Sequence, residues 1–174
     1  MEQLKSYIRS VPDFPKPGIN FYDITTLFQS PEGFALALEA MQSFITPLNA
    51  TKIVGIEARG FVLGAALADR LKVGFIPARK PGKLPYETIA EEYALEYGTD
   101  RLEIHVDAVS AGERVVVVDD LIATGGTLLA ACKLVERLQG TVVGVSAVIA
   151  LTFLEGLKKL SGYNVNYLIS YDSE

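Results

Sequence analysis

The sequence predicts an α/β fold built on a doubly wound, mainly parallel five-stranded sheet flanked by helices. Strand-like and helix-like segments alternate along the chain, as they do when helices cross over between parallel strands. The four consecutive valines Val115–Val118 are typical of a strand buried on both faces. With 174 residues, 49% of them hydrophobic, the chain can bury one sizeable core, so we expect a single domain over residues 1–174.

The N-terminal part is predicted to contain two helices separated by an irregular connection. Leu4–Ile8 forms a short first helix, and the stretch 12–18, rich in Pro and Gly, is a fixed, irregular segment. The second helix begins with Ser30 as its N-cap and Pro31 at its first position, and it runs to about Ile45. These elements precede the sheet.

The sheet and its crossover helices occupy most of the remaining chain. Phe61–Leu71 is an amphipathic helix rich in Ala, and another helix follows Thr127 and stops at Gly140. The strands are predicted at Lys52–Ile56, Val73–Ala78, Arg114–Asp119, Val142–Leu151 and Val165–Tyr171. Residues 82–105 do not fit the alternation, so we expect a long excursion or a β-hairpin there, and long loops in compact domains are often lids.

The segment from Val115 to Thr127 carries the clearest chemical signal. Its strand delivers Asp119 and Asp120 to the edge of the sheet where open α/β folds bind ligands. Residues 123–127 then offer backbone N–H groups at the positive end of a helix, which favours a phosphate. Carboxylates repel phosphate but accept hydrogen bonds from neighbouring hydroxyls. The simplest ligand that satisfies both ends is a ribose 5-phosphate.

We call residues 123–127 the phosphate loop. Its members are small or carry a hydroxyl: Ala123, Thr124, Gly125, Gly126 and Thr127. Glycine tolerates positive φ and the close approach of a ligand. The loop is neither a Walker loop, because no Lys follows the glycines, nor a G-x-G-x-x-G dinucleotide loop. A Gly-Gly turn between strand and helix is also common without a function, and the neighbouring aspartates are what favour a site here.

Composition and charge limit the classes of partner. The net charge of −5 and the absence of a Lys/Arg stripe predict no nucleic-acid partner. No apolar run reaches membrane-spanning length and the N-terminus lacks a signal core, so we expect no membrane partner and a cytoplasmic location. The single cysteine, Cys132, excludes an intramolecular disulfide, and the only histidine, His105, has no second His or Cys nearby for a metal site.

The segment 115–127 resembles the phosphoribosyl-pyrophosphate (PRPP) motif of the type I phosphoribosyltransferases. Further segments are similar, in order and spacing, to the adenine phosphoribosyltransferases of that family: Val11–Thr25, Gly55–Phe61, Arg79–Pro85 and Leu95–Gly98. The resemblance implies a purine salvage reaction in which the 5-phosphoribosyl group of PRPP is transferred to adenine, giving AMP and pyrophosphate. It also implies Mg²⁺ as cofactor, held mainly by PRPP oxygens and waters and not directly by protein ligands.

The resemblance assigns roles to four groups of residues. Ribose and the 5-phosphate are bound by Asp119, Asp120 and the phosphate loop. Pyrophosphate is bound by Glu57, Ala58, Arg59, Arg79, Lys80 and Lys83. Adenine is bound by Asn20, Phe21 and Tyr22, within an N-terminal hood of residues 1–35. Glu96 is the implied general acid/base, with Tyr97 beside it, in a flexible loop over residues 82–105.

Two of these loops also have an ordinary structural interpretation. The turn Glu57–Gly60 can hold pyrophosphate through N–H groups and a guanidinium, or it can be a plain strand–helix turn with a surface Arg. The basic turn, residues 79–83, brings three cations to the ligand edge, but such runs are usually solvated. In some relatives a cation of this turn reaches the neighbouring subunit's site, which implies a homodimer. Related transferases often have a non-proline cis peptide between positions 57 and 59.

The base pocket and the reaction class leave alternatives open. Many relatives carry Arg at the position of Tyr22, so base affinity should differ if that side chain contacts adenine. The same reaction on guanine, xanthine or orotate is one alternative, against which the matches at 11–25 and 95–98 argue. A PRPP-sensing regulator that binds nucleic acid is another, but it typically adds a DNA-binding domain or a basic face.

Overall fold

The computed structural model describes residues 2–94 and 98–173, excluding the side chain of Glu2. The strands are β1 (Arg9–Val11), β2 (Phe21–Asp23), β3 (Lys52–Ile56), β4 (Gly74–Ala78), β5 (Thr88–Ala94), β6 (Thr99–His105), β7 (Arg114–Ile122), β8 (Thr141–Leu151) and β9 (Val165–Tyr171). The α-helices are α1 (Thr25–Gln29), α2 (Pro31–Ile45), α3 (Arg59–Leu71), α4 (Gly126–Arg137) and α5 (Gly156–Lys159), and 3₁₀ turns cover Glu2–Tyr7 and Thr46–Leu48.

The predicted five-stranded parallel sheet is confirmed. Its strand order is β4-β3-β7-β8-β9, and each neighbouring pair is parallel. The valines of β7 alternate between two cores: Val115 and Val117 pack with α4, while Val116 and Val118 pack with α2 and α3. Helices therefore cover both faces, which explains why this strand is apolar without interruption.

The sequence signals at helix starts are largely confirmed. The Ser30 hydroxyl caps α2 by accepting from the Gly33 N–H at 3.1 Å, and Pro31 is the first residue of the helix. The first helix is a 3₁₀ helix, and α3 begins at Arg59, before the predicted Phe61. Capping residues and apolar periodicity thus predict where each helix lies, but the predicted ends differ from the observed ones by one or two residues.

Two predicted ends are wrong. Strand β7 extends beyond Asp119 to Ile122, because Leu121 and Ile122 continue the pairing with β8. Helix α4 ends at Arg137, and the left-handed residue that follows is Gln139, with φ of 65°, in place of Gly140. Gly140 is needed for another reason, since a Cβ there would lie 2.6 Å from a methyl group of Val109.

Two antiparallel hairpins lie outside the main sheet. One joins β1 and β2 in the N-terminal segment. The other joins β5 and β6, so residues 82–105 contain the hairpin that was one of the two predicted alternatives. Backbone hydrogen bonds between Arg79 and Glu103 connect this hairpin to the end of β4. None of the helices within 2–94 and 98–173 has the length and apolar character needed to cross a bilayer.

Candidate active site

Three loops meet at the carboxyl edge of the sheet, because β3, β4 and β7 are parallel neighbours and end on the same side. Ion pairs join the loops. The Arg59 Nε lies 2.5 Å from an Asp120 carboxylate oxygen, and the Arg79 Nη2 lies 3.3 Å from a Glu57 carboxylate oxygen. The predicted pyrophosphate and ribose residues are thus brought to one place by sheet topology.

The phosphate loop forms a small pocket at the start of α4. The pocket measures about 70 Å³ and is lined by Asp119, Leu121, Ala123, Thr124, Gly125, Thr127 and Leu128. Gly125 has a φ of 75° and precedes the first residue of the helix, Gly126. The free N–H groups and the positive end of this 12-residue helix therefore face the pocket, as anion binding requires.

Gly156, which the sequence analysis did not single out, packs directly against the backbone of the phosphate loop. A Cβ at Gly156 would overlap the Ala123 carbonyl oxygen and approach the Gly125 nitrogen to 3.0 Å. Conversely, a Cβ at Gly125 would lie 2.7 Å from the Gly156 carbonyl oxygen. The two backbones are in direct contact, so only glycine fits at either position. No local pattern around Gly156 signals this contact, which forms across a long sequence separation.

The two aspartates have different surroundings. Asp120 is 6% exposed and pairs with Arg59. Asp119 is half-buried, and one of its carboxylate oxygens accepts from the Asp120 backbone N–H at 2.9 Å. Burial, together with the neighbouring negative charge of Asp120, raises the pKa of Asp119 well above its usual value. Arg59 neutralises the charge of Asp120, whereas Asp119 forms no ion pair with a Lys or Arg side chain in the described structure.

Glu57 is the common acceptor for the basic turn. Its carboxylate accepts from the Lys80 backbone N–H, from Lys83 Nζ at 3.0 Å and from Arg79. Burial would raise the pKa of Glu57, but these donors outweigh it and lower the pKa. Glu57 is therefore a fixed anion that holds cations in place. The Glu57–Ala58 peptide bond is cis, as expected for this turn.

An open hollow of about 410 Å³ lies between the N-terminal hairpin and Arg59. Its lining residues are Val11, Phe14, Phe21, Asp23, Thr25 and Arg59. The Phe21 ring is 5.2 Å from the Phe14 ring and 5.8 Å from the Arg59 guanidinium carbon, measured to ring centroids. The rings of Phe14 and Phe21 offer apolar surfaces on which a flat aromatic ligand can stack. We call this space the base hollow.

Comparison with known proteins agrees with this geometry. The sequence pattern of the phosphoribosyl transferase domain matches residues 24–167. An adenine phosphoribosyltransferase of Brachyspira hyodysenteriae is 57% identical over 97% of this chain and 99% of its own length. The chain belongs to the adenine phosphoribosyltransferase family. Within that family, a crystal structure from Thermoanaerobacter pseudethanolicus superposes with a TM-score of 0.95 at 53% identity, covering 98% of this chain and 99% of that one.

A second structural relative was solved with ligands. The Saccharomyces cerevisiae adenine phosphoribosyltransferase, complexed with an imino-altritol bisphosphate and adenine, has a TM-score of 0.92 and 40% identity, with 97% of each chain covered. The match with adenine phosphoribosyltransferases therefore covers nearly the whole chain, including the five-stranded parallel sheet.

The side chains of the predicted base-binding residues divide between two places. Phe21 lines the base hollow, whereas the Asn20 amide oxygen accepts from the Ser10 hydroxyl at 2.6 Å. The Tyr22 ring stacks on Tyr171 of β9, with centroids 3.6 Å apart and planes at 17°. Because side chains alternate along a strand, Phe21 and Tyr22 face opposite sides of β2. Sequence reasoning missed Phe14 and Asp23, which line the hollow.

Glu96 and Tyr97, the predicted acid/base residues, lie outside the described residues. The strands on either side, β5 and β6, are described. Within the described chain, no group of three or more His, Cys, Asp or Glu side chains could hold a metal. Cys132 is buried in the core, and burial raises the pKa of its thiol to about 12, as is typical of an unreactive structural cysteine.

Proposed function

We propose that the protein transfers the 5-phosphoribosyl group of PRPP to adenine, giving AMP and pyrophosphate. The observation that carries the proposal is the carboxylate pair Asp119–Asp120 leading directly into the phosphate pocket at the start of α4. The base hollow and the basic turn lie around the same edge of the sheet. A sugar phosphate with one aromatic and one anionic substituent fits this combination of surfaces.

In this proposal each part of PRPP meets a matching group. The 5-phosphate occupies the phosphate loop, and the ribose hydroxyls donate to the two aspartates. Arg59, Lys80, Lys83 and Arg79, with the N–H groups near Ala58, stabilise the departing pyrophosphate. As the bond between C1 and the pyrophosphate oxygen breaks, positive charge develops on the ribose, and the aspartates favour it. N9 of adenine then bonds to C1.

The donor set is consistent with Mg²⁺ held mainly by the substrate. Mg²⁺ usually binds one or two carboxylates together with substrate phosphates and waters. The described site offers two aspartates, of which Asp120 is already paired with Arg59, and no larger carboxylate cluster. When bound, the ion neutralises charge on the leaving pyrophosphate. The protein residues supply orientation of the ribose and phosphates.

The base is proposed to bind in the base hollow beside Phe21, with Asn20 and Tyr22 contributing through the backbone of the hood. Glu96, as general acid/base, accepts the proton that the purine ring loses when N9 bonds to C1, with Tyr97 beside it. The excursion over 82–105, which contains the β5–β6 hairpin and was expected to be a flexible loop, would help to exclude the water that otherwise hydrolyses PRPP. We also propose that the protein is a cytoplasmic homodimer, because in some relatives a cation of the basic turn reaches the neighbouring subunit's site. Sedimentation equilibrium measures the oligomeric state, and a fully active monomer would contradict the proposed dimer.

The decisive experiment offers the protein PRPP and Mg²⁺ with adenine, guanine, hypoxanthine or xanthine in separate reactions, and nucleotides are quantified by chromatography. We expect AMP from adenine alone. A nucleotide from another base would contradict the proposed base specificity. Tight PRPP binding without any product would favour the regulator, which a salt-dependent gel shift with nucleic acid would then support.

Replacing Glu96 by Gln should lower kcat by about 10²–10⁴-fold, because a positioned acid or base typically contributes that much. The matched control is Glu92→Gln within the same segment 82–105; the Glu92 side chain is 64% exposed and forms an ion pair with Arg101. Steady-state kinetics with adenine check both variants. Equal activity of Glu96→Gln and the control would remove Glu96 from the mechanism.

Replacing Tyr22 by Ala should weaken adenine binding far more than PRPP binding. The ring does not line the base hollow, but its stacking on Tyr171 holds the strand that carries Phe21 and Asp23. Loss of an aromatic pair predicts a rise of about 2- to 10-fold in KM for adenine. Tyr22→Phe should preserve the stacking and the KM, and Tyr171→Ala should reproduce the loss. Equal weakening of both substrates would refute the assignment.

A further inference from the structure

The ammonium group of Lys80 is held by two residues of the β5–β6 hairpin. It donates to the Tyr93 hydroxyl and to a carboxylate oxygen of Asp100. It also lies 5.0 Å from the centroid of the Tyr93 ring. Tyr93 and Asp100 are directly opposite each other across the hairpin, and the tyrosine hydroxyl is 3.2 Å from the same Asp100 oxygen. Lys80, Tyr93 and Asp100 thus form one hydrogen-bonded triad.

Lys80 is fixed at both of its ends. Its backbone N–H donates to Glu57, and its side chain ends in the triad. A lysine side chain normally loses much rotational freedom when it binds a ligand. Here most of that loss has already occurred before any ligand arrives. An ammonium has three N–H donors, and the triad uses two of them, so one donor remains for an anion.

Tyr93 also touches the start of α4. It is 8% exposed, and a Cβ added at Gly126 would lie 3.2 Å from the Tyr93 ring and 3.2 Å from the Ala94 carbonyl oxygen. The tyrosine therefore lies between Lys80 and the helix that begins in the phosphate loop. The Tyr93 side chain, which belongs to the hairpin, thus contacts both the basic turn and the start of α4.

We propose that Asp100 and Tyr93 are positioning residues for the pyrophosphate group: they orient the Lys80 ammonium and keep its remaining donor directed to that group. The proposal rests on the proposed function, since it takes PRPP as the ligand. Neither residue is part of the substrate contacts assigned above. Both act through Lys80, and neither is expected to touch the reacting atoms.

The alternative to positioning is competition, in which Asp100 and pyrophosphate exclude each other at Lys80. The geometry favours positioning. The hairpin carboxylate is shared with Tyr93, and the Lys80 backbone is independently held by Glu57, so the cation does not need to leave the triad to meet a ligand. The two possibilities predict opposite changes in PRPP affinity, and this allows a direct test.

The experiment compares wild-type protein with Asp100→Asn and Tyr93→Phe by titration calorimetry, using PRPP with Mg²⁺ and, separately, ribose 5-phosphate. Loss of a charge-assisted hydrogen bond predicts about tenfold weaker PRPP binding for Asp100→Asn. Ribose 5-phosphate lacks the pyrophosphate group, so its affinity should not change. In kinetics, KM for PRPP should rise while KM for adenine stays constant, and Asp100→Glu should restore part of the loss.

Glu92→Gln is the matched control, because it removes the Glu92–Arg101 ion pair from the same hairpin without touching Lys80. It should bind both ligands like the wild type. Equal weakening of PRPP and ribose 5-phosphate in Asp100→Asn would indicate a general structural defect and overturn the proposal, as would unchanged or tighter PRPP binding. Tyr93→Phe keeps the ring and removes only the hydroxyl that bonds Lys80 and Asp100. If Asp100→Asn fails to fold, Tyr93→Phe provides the same test and should weaken PRPP binding but not ribose 5-phosphate binding. Wild-type protein that binds PRPP but forms no AMP would refute the proposed function alone.

Discussion

Replacing Gly156 by Ala should weaken PRPP binding by about 5- to 150-fold, the range that corresponds to an overpacking cost of about 1–3 kcal/mol. The new methyl group would overlap the Ala123 carbonyl oxygen and lie 3.0 Å from the Gly125 nitrogen. These are backbone atoms, which cannot rotate away as a flexible side chain does. The phosphate loop must therefore shift, and its N–H groups lose their alignment with the 5-phosphate.

Gly162→Ala is the matched control for this prediction. A Cβ at Gly162 meets nothing within 4 Å, although the residue lies only a few positions further along the chain. Calorimetric titration should show weaker binding of both PRPP and ribose 5-phosphate to Gly156→Ala, since both ligands carry the 5-phosphate, and unchanged binding to Gly162→Ala. Unchanged affinity in Gly156→Ala would mean that the phosphate does not bind at this loop.

Neutralising the two neighbouring aspartates should lower activity in both cases but change stability in opposite directions. Loss of a hydrogen bond that a ribose hydroxyl donates to a charged carboxylate predicts about 10- to 150-fold lower kcat/KM for Asp119→Asn and Asp120→Asn. Asp120→Asn also loses the ion pair with Arg59, whose side chain is 42% exposed, and we expect a cost of about 1 kcal/mol after allowing for solvent screening.

Asp119→Asn should instead raise the midpoint of thermal unfolding at neutral pH. Burial and the charge of Asp120 raise the pKa of Asp119 in the folded state, so its ionised form costs stability at neutral pH. The stability associated with the protonated carboxyl is fully present below the unfolded value of 3.8 and is lost as pH rises through the raised folded value. The gain from Asn should therefore disappear at acid pH.

Thermal unfolding of both variants across pH, with activity measured in parallel, checks this pair of predictions. The control is internal, because the two substitutions are chemically identical and occupy adjacent positions. Shifts of the same sign at neutral pH would contradict the different surroundings inferred for the two carboxylates. Retained activity in either variant would contradict its proposed contact with ribose.

The elements that the sequence predicted correctly depend on local physics. Four valines in a row need a strand covered on both faces, and β7 is covered by α4 on one side and by α2 and α3 on the other. Ser30 and Pro31 specify the start of α2 because a hydroxyl cap and a fixed φ act within one turn. Gly125 adopts its positive φ within the predicted loop. The predicted end of β7 was wrong because pairing with β8 extends the strand to Ile122, and local sequence does not encode that pairing.

The parallel sheet, the cap of α2 and the positive φ of Gly125 could thus be predicted from local sequence, because periodicity, capping and glycine conformation are encoded within a few residues. Three contacts could be seen only in the folded chain: Gly156 packs against the phosphate loop, Tyr22 stacks on Tyr171 away from the base hollow, and Tyr93 and Asp100 hold Lys80. These contacts join segments that are distant in sequence, and their geometry depends on how the sheet brings its loops and hairpins together.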